Sequence, residues 1–175
     1  MNAADAAKAA AALFVAVIVQ VSILSGVTVL SGRPKLVLVT VVTVALLRGA
    51  IVGSIAGFFA GFLMDTGALG MLGFTSLLLT LAGYWTGRYG ETTGRDRAHA
   101  PLLSVAVVTV LYQIGALMLH FMLGEPASAR IVLLDSLVPT VVLNVLLTIP
   151  VYALVRRLLR PPQWADRAQE VRLLG

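Results

Sequence analysis

The sequence predicts an all-α membrane protein: a compact bundle of six transmembrane helices with its N- and C-termini both on the cytoplasmic side. Three observations predict it. Of the 175 residues 59% are hydrophobic and only 12% are charged, against about 25% charged in a soluble domain. The apolar residues fall into runs suited to crossing a hydrocarbon core of about 30 Å, with short polar connections between them. Ten of the thirteen lysines and arginines fall on one side of such a bundle. Residues 1–160 form the transmembrane domain and 161–175 a cytoplasmic tail. No other polar stretch exceeds the loop near 88–100, so the chain has no room for a separate soluble domain.

The first span is placed at 9–30, Ala-rich and then rich in Val, Ile and Leu. A cleaved signal peptide is the rival, but Ser25-Gly26 is followed by further apolar residues and no small-x-small cleavage site follows. Gln20 and Ser22 within this span read as interhelical hydrogen bonders rather than ligands. Ser31 to Lys35 is a turn, and Pro34 suits the first turn of the helix that follows.

Residues 34–64 pose the main topological choice. As one helix they would run about 46 Å, well beyond the hydrocarbon core. One helix would also hold Arg48 in mid-membrane at about 3 kcal/mol. Two short spans, 34–47 and 49–64, with Arg48-Gly49 as an interfacial turn, avoid that cost. The second carries the densest pattern in the chain. Gly49, Gly53, Gly57 and Gly61 recur every fourth residue, and Asp65 takes the next step. Four residues turn a helix by about 400°, so the five form one slowly drifting stripe. In lipid, small residues so spaced allow close backbone approach. The stripe is therefore the candidate helix-packing or partner interface. Asp65 reads first as an acid at a helix end, with an ion or proton site and a partner contact as the sharper alternatives.

The fourth span is placed at 68–87, after Gly67, Gly70 and Gly73, and Tyr84, Trp85 and Tyr89 mark its end as an interfacial aromatic belt. The fifth, 101–123, opens at Pro101 and holds Tyr112, Gln113 and His120. A lone His there is more often a packing residue than a catalyst. The sixth, 137–159, follows a candidate cap at Asp135 or Ser136. Pro150 should bend it, and Pro161-Pro162 stops it. In the tail, Trp164, Ala168 and Val171 share a helical face, which fits a short interfacial helix or a disordered segment equally.

With the N-terminus inside, the inner side carries Lys8, Arg48, Arg88, Arg95, Arg97, Arg156, Arg157, Arg160, Arg167 and Arg172, and the outer side Arg33, Lys35 and Arg130. That asymmetry sets the orientation. It places Asp65, His120, Glu125, Arg130 and Asp135 toward the outer surface. There His120, Glu125, Arg130 and Asp135 are either ordinary loop charges or contacts for an extracytoplasmic partner. Basic residues on the inner side can meet anionic membrane lipid.

The function classes excluded are many. There is no cysteine, and the two histidines lie 21 positions apart. No nucleophile–base pair, metal-ligand spacing, phosphate loop or nucleic-acid module is present. The expectation is a protein that is not an enzyme, needs no cofactor, and works through contacts.

Gly53-Ser-Ile-Ala-Gly57-Phe-Phe-Ala-Gly61-Phe-Leu-Met-Asp65, followed by Gly70 and Gly73, resembles a hallmark of the MreD family, bacterial rod shape-determining membrane proteins. Pro34 opening the second span and Leu81-Ala-Gly83-Tyr84 closing the fourth are similar to the family as well. The resemblance implies a non-enzymatic scaffold or regulator of the rod complex (elongasome) in the inner membrane, controlling lateral peptidoglycan synthesis and cell shape. It implies as partners the single-span coiled-coil protein MreC, the actin-like MreB, a SEDS glycosyltransferase and a penicillin-binding transpeptidase. It also implies a fold similar to the substrate-binding subunits of energy-coupling-factor transporters. That kinship supplies the alternative function, a vitamin-binding subunit of such a transporter. Gln20, Tyr112, Gln113, His120 and Asn144 are the polar groups available for a vitamin cavity.

Overall fold

Six helices run alternately up and down in the computed structural model, which describes residues 3–29, 32–67, 72–93, 100–122, 124 and 136–159. They are α1 (Ala3–Ser22), α2 (Leu36–Arg48), α3 (Ala50–Gly67), α4 (Phe74–Thr93), α5 (Ala100–Met122) and α6 (Leu137–Leu159). Among the described residues there is no strand, only an isolated bridge in which Val29 and Gly32 exchange backbone hydrogen bonds of 2.9 Å.

α2 is the hub. It touches each of the other five helices, and every residue from Val37 to Leu46 is buried. Its sequence explains how a helix can be enclosed on all sides. It is Val- and Leu-rich all round, and its two threonines, Thr40 and Thr43, turn back to donate to the carbonyls of Leu36 and Val39 at 2.8 Å. A helix that is hydrophobic all round belongs in a core. The helices around it are inside-out relative to a soluble protein. On α5, Leu103, Val107, Leu111, Ile114 and Met118 are exposed, while Ser104, Thr109 and Gln113 are buried. α6 repeats the pattern, with Val138, Val142, Leu146 and Ile149 outward and Thr140, Asn144 and Thr148 inward. An apolar exterior over a polar-dotted interior is what lipid selects.

Among the described residues four helices are long and apolar enough to cross a membrane: α1, α3, α5 and α6. α2 has 13 residues and rises only about 20 Å, less than the hydrocarbon core. Its backbone needs no lipid-facing match, because neighbouring helices surround it. Residues 34–64 divide at Gly49, whose φ of 95° closes α2 and lets α3 begin at Ala50.

Several helix boundaries differ from the sequence reading. α1 begins six residues earlier than expected and gives way at Leu24–Gly26 to a single 3-10 turn, so Leu24 to Val29 is connection rather than span. α4 starts at Phe74 instead of 68. It also continues to Thr93, so the polar run from Arg88 to Thr93 is helical and not loop. The reason is packing: Gly87 and Gly90 lie against the α2–α3 corner, and Thr92 folds its hydroxyl back onto the carbonyls of Arg88 and Tyr89. Pro34 precedes α2 by two residues, leaving Lys35 as the residue before the first turn. α5 and α6 fall within a residue of the expected spans.

Candidate functional site

The glycine stripe of α3 lies on α4. A Cβ added at Gly53 would sit 2.5 Å from the carbonyl oxygen of Gly83, and one at Gly83 would strike Gly53 in return. One at Gly57 would strike the backbone of Leu79, one at Gly61 that of Ser76, and one at Gly87 that of Gly49 and Ala50. The pairs 49–87, 53–83, 57–79 and 61–76 define one antiparallel register. Each backbone lies in the groove left by the other helix's missing side chains. Gly83 and Gly87 supply the partner half of the zipper, a small-x-x-x-small pattern on the facing helix.

Both ends of this pair are closed by a carboxylate. Asp65, 4% exposed, accepts from the backbone N–H of Gly73 at 2.9 Å, Thr75 at 3.1 Å and Ser76 at 3.3 Å. These are free donors at the start of α4, and an anion there is favoured by the helix dipole. At the other end Glu91, on the last turn of α4, accepts from the N–H of Ala50 at 2.9 Å, the first residue of α3. Each helix thus caps the start of its neighbour. The fifth step of the stripe is an acid because, in this register, it arrives where α4 begins.

Beside Glu91 lies a third fastening. Arg48 pairs with Asp5 at 3.1 Å and donates to the carbonyl of Leu159 at 2.8 Å. One guanidinium therefore joins the start of α1, the end of α2 and the end of α6, where a cation also suits the free carbonyls.

A second polar cluster lies toward the opposite end, where the segment 32–35 leads into α2. Gln20 donates to the carbonyl of Pro34 at 3.0 Å and accepts from the N–H of Leu36 at 2.6 Å. Asn144, fully buried, accepts from the N–H of Lys35 at 2.8 Å and donates to Thr109 at 3.1 Å. Thr140 accepts from the N–H of Arg33, and Gly32 lies against Pro139 and Thr140 too closely for a Cβ. The Lys35 ammonium donates to Gln113 at 3.0 Å and lies 3.7 Å over the ring of Tyr112. A cavity of about 430 Å³ opens beside this cluster.

The structure thus brings Gly49, Gly53, Gly57, Gly61 and Asp65 together on one surface, with α4 as the element they face. It gathers Gln20, Tyr112, Gln113 and Asn144 around Lys35. His120 belongs to α5, well along from Gln113 toward the helix end; its side chain, and Glu125, Arg130 and Asp135, lie outside the described residues. Sequence reasoning missed Glu91 and Lys35. No local pattern signals Glu91, whose carboxylate reaches the N–H of Ala50 from one turn beyond Gly87. Lys35 was read as an ordinary turn residue, although a 13-residue α2 must begin inside the bundle. Among the described residues no three His, Asp or Glu side chains come together as metal ligands.

A comparison with protein-family models matches residues 9–161 to the rod shape-determining protein MreD. The match takes in all six helices, short only of the first residues of α1. Comparison with curated proteins and with solved structures finds no match. With the motif around the α3–α4 zipper and the family match agreeing over nearly the whole chain, the protein belongs to the MreD family of rod shape-determining membrane proteins.

Proposed function

We propose that the protein is a non-enzymatic scaffold and regulator of the rod complex, spanning the inner membrane six times with both termini in the cytoplasm. It binds an MreC-like single-span coiled-coil partner and helps direct lateral peptidoglycan synthesis. MreB, a SEDS glycosyltransferase and a penicillin-binding transpeptidase act in the same assembly. Family membership supports the role in cell shape. The observation that carries the contact-based mechanism is how the stripe is used: its glycines and Asp65 hold α3 to α4, and the carboxylate meets three backbone donors. The polar groups nearest the family motif thus build a rigid body rather than a reaction centre. The outward apolar faces of α3, α5 and α6 are left for lipid and for the spans of other proteins.

The test is depletion of the protein in its own host, with cell shape and the incorporation of a fluorescent D-amino acid into the lateral wall as readouts. Cells should round up and lose lateral labelling, and the wild-type chain should restore both. Depleted cells that stay rod-shaped with an unchanged labelling pattern would contradict the reading.

A further inference from the structure

We propose that the cavity beside Lys35 is a binding site for a phosphate-bearing ligand, with Lys35 as its anion contact and Arg33 as a second cation in its wall. The geometry begins with the shortness of α2. Gln113 contacts the Lys35 ammonium and lies nine residues before Met122, the end of α5. At 1.5 Å per residue the ammonium is therefore about 13 Å inside that helix end. An ionisable group so far inside a membrane bundle marks a functional site unless a counter-charge neutralises it. Among the described residues no carboxylate pairs with Lys35 or Arg33, since the two ion pairs present belong to Arg48 and Arg88. Asp65, the nearest buried acid on α3, is engaged by the start of α4.

The ammonium has three donors. One goes to Gln113, and the ring of Tyr112 lies beneath the charge. A donor remains for a ligand oxygen. The cavity is of ligand size at about 430 Å³, within the usual range of about 300–1,000 Å³. Its wall combines Leu24 and Met64 with Gln20, Arg33, Lys35 and Tyr112, and the amide of Gln20 is already spent on Pro34 and Leu36. Among the described residues the charged groups of the wall are therefore two cations and no acid. That combination takes a phosphate, with apolar wall left for whatever the phosphate is attached to. The phosphate comes either from a lipid headgroup or from a free phosphate ester. The site stands apart from the scaffold reading, since binding here requires no partner protein.

The experiment titrates the full-length chain in neutral detergent with sn-glycerol 3-phosphate, phosphatidylglycerol and phosphatidylcholine. Thermal unfolding and native mass spectrometry of the retained ligand are the readouts. A response to glycerol phosphate identifies a free ester as ligand. A response to phosphatidylglycerol but to neither other probe identifies a lipid headgroup. In either case Lys35→Gln should raise the half-saturating concentration about tenfold or more, and Arg157→Gln, at the far end of α6, should not. An unchanged titration for Lys35→Gln, no response to any probe, or equal responses to the two lipids would overturn the proposal. Should Lys35→Gln fail to fold, Leu24→Trp decides with the wild-type charge in place. It fills the cavity and must abolish the response to the anionic probe, and a response that persists overturns the site.

Discussion

The carboxylate of Asp65 stands where four orphan N–H groups of a helix start need acceptors, and it meets those of Gly73, Thr75 and Ser76. Replacing it with alanine strands those donors inside the bundle. Asp65→Ala should therefore lower stability by about 1–3 kcal/mol, read from denaturant unfolding in detergent. Asp65→Asn keeps one acceptor but turns an amide toward donors, and should fall between the two. If both variants unfold with the wild type, the cap contributes nothing. Arg48 offers a parallel case at the other end. Arg48→Met removes the links to Asp5 and Leu159 and should cost about 1–2 kcal/mol, whereas Arg157→Met, exposed on the last turn of α6, should be silent in the same assay. The sequence carried Asp65 plainly, because its four-residue spacing from Gly61 places it on the stripe. It hid Glu91, whose role depends on a register that no local pattern contains.

Between elements, the α3–α4 pair rests on backbone contact. Gly57→Leu and Gly61→Leu must force the helices apart, since even a Cβ at either position meets the backbone of Leu79 or Ser76. Both should lower stability by about 1–3 kcal/mol or more in denaturant unfolding, while Gly26→Leu, with open space around it, should unfold with the wild type. Glycine variants that unfold with the wild type would remove α4 from the stripe. α2 makes a different prediction. Leu38 is nearly inaccessible, and Leu38→Ala should cost about 2 kcal/mol, the low end for such truncations because the loss is one of packing and not of transfer from water. Leu103→Ala, facing outward, should unfold with the wild type. The break at Gly49 was legible in the sequence from the cost of an arginine in mid-membrane. The enclosure of α2 was not, because an all-apolar segment reads the same whether lipid or protein surrounds it. The end of α4 was misread for a related reason: polar residues from Arg88 to Thr93 look like a loop until Gly87, Gly90 and Glu91 are seen against α2 and α3.

At the scale of the whole molecule, hydropathy and small-residue spacing predicted an all-helical membrane chain, and the family motif pointed to rod shape determination, which the match over residues 9–161 bears out. The cavity at Lys35 lay beyond sequence reading, because it exists only where a short helix stops inside longer neighbours. On the scaffold role proposed above, a body whose nearest polar groups fasten its own helices, with apolar faces turned outward, acts through its contacts. The most direct measurement is affinity purification of the tagged chain from native membranes in mild detergent, with co-purifying proteins identified by mass spectrometry, run beside Gly57→Leu. Recovery of a single-span coiled-coil protein together with cell-wall synthases, lost in the glycine variant, is the predicted result. Recovery of a pair of ATPases with a second membrane subunit would contradict the scaffold account and assign the chain to a vitamin transporter.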